Sequence, residues 1–481
     1  MPVEEITFRT KVLKGFLWLG TGTFLVQFIS WISTIFVIRL LSPSDYGLMA
    51  MATTFVSLLT TISELGIGSA IIQADQLQER EIRQLFGFCI LSGLFGFIVS
   101  YGAAPLIAIF FNEHKLVALV RFLGLNFILL SLYMVPQMSF VREMNFKKKA
   151  QVDIIAQTGG AILTLVLALY GLGVWALAVG TISFHIFKAI GFNVAHASFV
   201  RPCFRFGGAE KFIKYGLTVT GARLFYYLYT ESDKIIIGKF LGNILLGYYG
   251  VALNLASIPM EKVLPIVNQV LFSTYSRIQN DIERIRRNIL TTTRAVAFLG
   301  FPIFFGMASL SREAIPLILG SKWSSIIVPF QLLCLILPLK ALNAIFSPAL
   351  SAIGKPSVTL RNTIITSILM AIAFLIGVRG GVLGVCIAWI IAYPIVFIAT
   401  GMRYLKELGI PLRHYLSEIV FPFLAGLLML VFIAFLRQIL VSFQPLYSLM
   451  IAILFGAAIY MGMALLFKKD QYLELKRLLY R

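Results

Sequence analysis

Long apolar stretches, each ended by a short cluster of polar and charged residues, follow one another along the whole chain. A helix that crosses a bilayer needs about 20 mainly apolar residues. Cutting the sequence at its polar punctuation gives fourteen such segments, near residues 15–39, 46–72, 85–110, 116–141, 150–170, 173–198, 212–238, 244–270, 290–319, 324–352, 357–378, 382–402, 416–436 and 445–467. The first begins at Gly15 and is too long for the apolar core of a signal peptide, which runs to about 7–15 residues. It is expected to stay as an uncleaved first transmembrane helix. The ninth segment is interrupted by Pro302 and Pro316, and the eleventh and twelfth are separated only by VRGG at residues 378–381. The expected fold class is all-α, a polytopic membrane protein of about 14 transmembrane helices.

Lysine and arginine accumulate on the cytoplasmic side of membrane proteins. With the N-terminus inside, twenty-eight of them fall in cytoplasmic segments. Eight fall outside: Arg39, Lys115, Arg121, Lys239, Arg312, Lys322, Arg379 and Arg437. Both termini are therefore expected in the cytoplasm, with an even number of spans. The connecting segments are short, and none is long enough for a folded extramembrane domain.

Composition agrees with this picture. The chain is 59% hydrophobic and 13% charged, whereas soluble domains are about 45–50% apolar and about 25% charged. A net charge of +20 would suggest nucleic acid in a soluble protein. Here the cytoplasmic loops account for it, no arginine-rich arm is present, and no nucleic-acid partner is expected. Cys89, Cys203, Cys334 and Cys386 are scattered, with no CxxC spacing. That argues against a disulfide framework and a structural zinc site.

The chain also repeats itself. RLLSPSDYG at residues 39–47 aligns with KFLGNILLG at 239–247, an offset of 200 that superimposes Leu41 on Leu241 and Gly47 on Gly247. Residues 111–123 align with 320–332 at offset 209, and GVWALAVG at 173–180 aligns with GVLGVCIA at 381–388 at offset 208. Order and near-constant offset carry the inference, since single apolar matches arise easily. The expected organisation is an N-terminal six-helix lobe over 1–204, a parallel repeat over 205–403, and two additional helices with a basic tail over 404–481. Parallel repeats of this kind build transporters whose site lies between the halves.

Several segments then carry a resemblance to a family. They are LSPSDYGL at 41–48, SELGIGSAIIQ at 63–73, DKIIIGKFLG at 233–242, GYYGVALNLA at 247–256, IPMEKVLP at 258–265, YSRIQND at 275–281 and GSKWSSII at 320–327. Together they resemble the polysaccharide-export branch of the multidrug/oligosaccharidyl-lipid/polysaccharide (MOP) flippase superfamily, the Wzx-like exporters of colanic and teichuronic acid type. The likeness covers about residues 10–400 in order, and the last two helices match mainly in hydropathy. It implies two six-helix lobes in a V around a central cavity. It also implies transport of undecaprenyl-diphosphate-linked oligosaccharide across the bacterial cytoplasmic (inner) membrane, with membrane lipid, polysaccharide polymerase and glycosyltransferases as partners. No cofactor is implied, and no fixed set of substrate residues.

Candidate residues come instead from charge at membrane depth. An ionised group there costs roughly 2.5–3.5 kcal/mol on insertion scales and normally faces a bundle interior or a wet cavity. On the seventh span, Arg223, Tyr227, Thr230 and Lys234 fall within about 60° of one another, a stripe about 16 Å long. Tyr226 and Glu231 flank it, and Asp233 lies further round. Arg223 near mid-depth suits a diphosphate, because its planar fork donates several hydrogen bonds, and the tyrosines suit sugar. The plainer reading of Glu231, Asp233 and Lys234 is a set of ion pairs within the helix and to a neighbour. The N-terminal counterparts at offset 200, Thr23, Trp31 and Ser33, are uncharged, so the charge belongs to one repeat.

Lys188 and Lys340 sit mid-depth on the sixth and tenth spans, where each can bind an anion, pair with an acid or snorkel. His185 reads as a packing histidine. Glu64, Glu261 and Lys262 lie on repeat-related helices. A Glu64–Lys262 pair can serve as an ion-coupling or gating contact, or simply as a structural lock. The prolines from Pro259 to Pro348 permit hinges or ordinary bends.

No Walker A loop, HExxH, GxSxG, DxD or metal-spaced carboxylate cluster occurs, and without those constellations no catalytic residues are assigned. The leading expectation is a non-enzymatic flippase driven by an ion gradient or by mass action. An ion-coupled small-molecule antiporter of the same superfamily and a membrane polysaccharide polymerase or ligase stand as alternatives. Short outer loops weigh against the enzymes.

Overall fold

The computed structural model describes residues 30, 32–63, 78–143, 145–195, 202–204, 210–440 and 443–468, with backbone alone at 146, 210–220, 222 and 223. Helices follow one another in the order α1 Ile32–Leu40, α2 Pro43–Ser63, α3 Glu79–Phe111, α4 Lys115–Leu123, α5 Leu125–Arg142, α6 Phe146–Leu169 and α7 Val174–Ala195. They continue with α8 Glu210–Arg277, α9 Ile282–Leu319, α10 Ile327–Ala344, α11 Phe346–Ala352, α12 Pro356–Gly377, α13 Gly381–Leu408, α14 Leu412–Ile439 and α15 Pro445–Phe467. No strand occurs among the described residues. The all-α membrane class expected from hydropathy is borne out.

Among the described residues, ten stretches are long and apolar enough to cross a membrane, or eleven if the bent pair α1–α2 is counted. Two of them run to 54 and 53 residues, about 80 Å if straight, far beyond a hydrocarbon thickness of about 30 Å. Each is broken at a glycine. In α8 the break is Gly242, at φ 82° and ψ −179°, a conformation that a residue with a Cβ rarely adopts. Between α12 and α13 a single 3₁₀ turn, Val378–Gly380, leads into Gly381 at φ 68°. Each long stretch thus supplies two of the spans that hydropathy separates. Most of the expected first span and the end of the second lie outside the described residues.

The family-like motifs have local physical reasons. In LSPSDYGL, Ser42 caps α2: its Oγ accepts from the Asp45 N–H at 3.3 Å, and Asp45 Oδ2 in return accepts from the Ser42 N–H at 2.9 Å. Pro43 takes the first helical position, where no backbone donor is needed. The cap sits at a 114° bend between α1 and α2. In GSKWSSII, Trp323 is fully buried and meets Tyr248 of GYYG edge-on at 5.8 Å.

The chain divides into two compact units, the first Met1–Glu231 with Gly242–Gly247, the second Ser232–Leu241 with Tyr248–Arg481. In the first unit, Gly47 lies against the carbonyl of Asn243, and Gly247 against the carbonyl of Pro43. The four positions are related by the offset of 200 read from the sequence.

In the second unit, α9 and α14 carry two ion pairs. Arg294 Nε and Nη2 donate to Glu418 at 2.6 and 3.0 Å. Arg437 Nε donates to Glu313 at 2.6 Å. Both pairs have a sequence separation of 124, so the two helices run parallel. From one pair to the other is about 28 Å along either helix, close to the thickness of the hydrocarbon core. That spacing suits two pairs at opposite ends of one membrane crossing. The α14–α15 hairpin is tied into the second unit further by Tyr460, whose hydroxyl donates to the carbonyl of Phe298 at 2.9 Å.

Candidate functional site

The break at Gly242 brings the α8 residues on either side of it, Ser232–Leu241 and those from Tyr248 onward, together in the second unit. Asp233 and Tyr249, sixteen residues apart, would stand about 24 Å apart along a continuous helix. Instead the Tyr249 hydroxyl donates to Asp233 Oδ2 at 2.5 Å. Asp233 is 1% exposed, and its Oδ1 accepts from the backbone N–H of Lys234 at 2.7 Å. Tyr249 in turn accepts from Trp389 Nε1 of α13 at 3.0 Å. The Trp389 ring lies between Phe374 and Tyr393, with ring centroids 5.0 and 5.5 Å away. Above it sits the ammonium of Lys340 from α10, 4.4 Å from the ring centroid. Three helices therefore deliver one buried polar ladder, Asp233–Tyr249–Trp389–Lys340. A carboxylate is tolerated at this depth only if hydrogen-bonded, and this one accepts bonds at both oxygens.

The first unit buries a different charge. Lys188 of α7 is 3.3 Å from Asp153 of α6, which also takes a 2.7 Å bond from Lys149. The rings of Tyr133, Phe184 and Phe192 stand 5.0, 5.2 and 5.7 Å from the Lys188 ammonium. Aromatic faces attract a cation electrostatically. His185 Nδ1 meets the Tyr133 hydroxyl at 3.0 Å, a packing role that the sequence had suggested. Asp153 was not singled out by the sequence. It lies near the start of its span, and only the pairing of α6 with α7 brings it to Lys188.

The remaining candidates divide as follows. Tyr226 is 59% exposed and meets Tyr229 edge-on at 6.3 Å. The hydroxyl of Tyr227 donates to the carbonyl of Thr54 on α2. Glu231 accepts from the Thr54 hydroxyl at 3.4 Å. Lys234 is half-buried, and Glu261 and Lys262 are exposed. Arg223 belongs to α8 by its backbone, but its side chain lies outside the described residues, as does all of Glu64. The four cysteines are free thiols. Among the described residues no group of three His, Cys, Asp or Glu side chains could hold a metal ion.

Helices long and apolar enough to cross a bilayer, with ionic and aromatic clusters among them, define a multi-pass membrane protein. A family model described as polysaccharide biosynthesis protein matches residues 36–328. The chain belongs to that family, and the Wzx-like, MOP-superfamily resemblance of its motifs is borne out. It is 24% identical to the lipopolysaccharide biosynthesis protein WzxC of Escherichia coli, over 88% of this chain and 87% of that one. Its fold is similar to lipid II flippase MurJ in an inward closed conformation, with a TM-score of 0.76, 18% identity and coverage of 94% and 99%. It is also similar to an inward-facing multidrug resistance MATE family transporter of the MOP superfamily, with a TM-score of 0.57, 17% identity and coverage of 80% and 95%.

Proposed function

We propose that this protein is a flippase that moves a lipid-linked oligosaccharide across the bacterial cytoplasmic membrane for cell-surface polysaccharide biosynthesis. The observation that carries the reading is the polysaccharide-biosynthesis family match across residues 36–328 of a chain built of membrane helices. The named activities of relatives point the same way: one is a probable glycan biosynthesis flippase of Haloferax volcanii, 24% identical over 60% of this chain. The proposed cargo is an oligosaccharide joined to undecaprenyl through a diphosphate. Both termini are placed in the cytoplasm by the lysine and arginine distribution.

In this reading the two repeats, 1–204 and 205–403, alternate access to the two leaflets without catalysing a reaction. Arg223 meets the diphosphate, Tyr226 and Tyr227 meet sugar, and Glu64 or Asp233 couples a proton or sodium ion to the cycle. Support for a special role of the Asp233 region is the burial of its carboxylate, bonded by Tyr249 and the Lys234 N–H, with Trp389 and Lys340 extending the ladder. Polymerase and glycosyltransferases act before or after the transport step. The testing experiment is deletion of the gene, with extraction of the polyprenyl-linked intermediates. The proposal expects completed repeat units to accumulate on the cytoplasmic face. Unchanged lipid-linked pools together with a gain in drug sensitivity would replace it with an antiporter.

A further inference from the structure

A cavity of about 980 Å³ opens at one end of the second unit, between α9, α10, α14 and the start of α15. We propose that it binds the headgroup of an anionic phospholipid of the surrounding bilayer, as a site separate from the transported substrate. Two of the eight cations expected on the outer side, Arg312 and Arg437, line this one cavity. Gln331, Gln438 and Ser309 add neutral polar groups. Glu313 is the acid in the lining, and it is already engaged: it accepts from Arg437 Nε at 2.6 Å. Arg437 Nη1 also reaches the carbonyl of Ser309 at 3.4 Å. The guanidinium is thus fixed in place with donors to spare, and arginine presents five. Two cations against one anion leave the lining with a net positive charge.

Depth supports a lipid headgroup. On the orientation read from lysine and arginine, the Arg437–Glu313 pair stands at the outer end of α9 and α14, about 28 Å from the Arg294–Glu418 pair along the same parallel helices. The cavity lies at that end, where phosphates of a bilayer stand. Its lining also includes Leu317 and Phe443, 36% and 54% exposed. Ile318, Phe435 and Ile439 are exposed beside them. A pocket for a soluble anion is better served by a polar rim. An apolar rim beside a cationic floor fits an amphiphile whose chains remain in the bilayer. Phosphocholine is the poorer match, because its quaternary ammonium offsets the phosphate's negative charge and donates no hydrogen bond.

The test is native mass spectrometry of the full chain in detergent, titrated with dioleoyl phosphatidylglycerol or with dioleoyl phosphatidylcholine. Wild type is expected to bind phosphatidylglycerol preferentially. Arg312→Gln is expected to weaken that binding roughly tenfold, the worth of one charge-assisted hydrogen bond, with no change in phosphatidylcholine binding or thermal stability. Arg312 is exposed, so this variant tests the site even if Arg437→Gln fails to fold. Lys406→Gln, an exposed cation elsewhere in the unit, is expected to bind as wild type. Equal binding of both lipids, an unaffected Arg312→Gln, or an equal loss in Lys406→Gln would overturn the proposal. Displacement of the lipid by inorganic phosphate would assign the site to a free anion and would also overturn it. The readout is binding, so its outcome is independent of whether the protein flips oligosaccharide.

Discussion

Gly47 and Gly247 seat their helices against each other reciprocally: each glycine packs on the backbone carbonyl four residues before the other, at Asn243 and Pro43. A Cβ on either one would collide with backbone, which cannot step aside as a flexible side chain can. Gly47→Ala and Gly247→Ala are each expected to destabilise by about 2 kcal/mol through overpacking. Thermal unfolding in detergent reads this as a lowered Tm. Gly462→Ala, at a position with nothing nearby, is expected to leave Tm unchanged. An unshifted Tm in both contact variants would remove the reciprocal packing from the account.

Asp233 and Tyr249 make a second measurable pair. Tyr249→Phe removes the donor from a fully buried carboxylate and is expected to cost about 1–3 kcal/mol. Asp233→Asn neutralises the carboxylate, and in the Tyr249→Phe background it is expected to recover part of that loss. A double-mutant cycle on thermal stability checks this. Additive effects would mean that the two groups are not coupled.

Lys188 and Asp153 differ in what each would lose. Asp153→Asn leaves the Lys188 ammonium, with a side chain only 11% exposed, among aromatic rings without its carboxylate. Lys188→Gln leaves Asp153 still paired with Lys149 at 2.7 Å. The first change is therefore expected to be the more damaging, by about 3 kcal/mol against wild type. Chemical denaturation of the two purified variants tests the order, and the reverse order contradicts the pairing.

Much of this architecture was legible in the sequence, because hydropathy and glycine-marked turns are local signals. VRGG between the eleventh and twelfth spans, and Gly242 between the seventh and eighth, stand where the chain reverses. The offset of 200 aligned Gly47 with Gly247 as equivalent positions, but it did not say that the two would pack against each other. Partners across helices were not legible. Asp233 was expected to pair with a neighbouring helix, but Tyr249 and Trp389 could not be named, since nothing in an apolar run distinguishes a hydrogen-bonded tyrosine from a packed one. Asp153 escaped notice for the opposite reason. It sits among lysines near a span end, where a charge in a sequence calls for no particular partner.

Arg223 is the residue on which the diphosphate reading rests most heavily. Arg223→Ala is expected to abolish oligosaccharide flipping while leaving expression and Tm intact, and Arg223→Lys to retain part of it, because lysine keeps the charge but loses the planar fork. Transport counts in proteoliposomes, normalised to protein inserted, distinguish the three. Near-normal flipping by Arg223→Ala would take this side chain out of the mechanism.

The most direct test of the flippase itself uses purified protein in sealed liposomes carrying a fluorescent polyprenyl-diphosphate oligosaccharide in both leaflets. An impermeant quencher or a glycosidase is then added outside. The account predicts that protein-containing vesicles lose the protected inner pool with time while empty vesicles retain it. Identical protected pools with and without the protein, under an imposed proton or sodium gradient as well as without one, would contradict it.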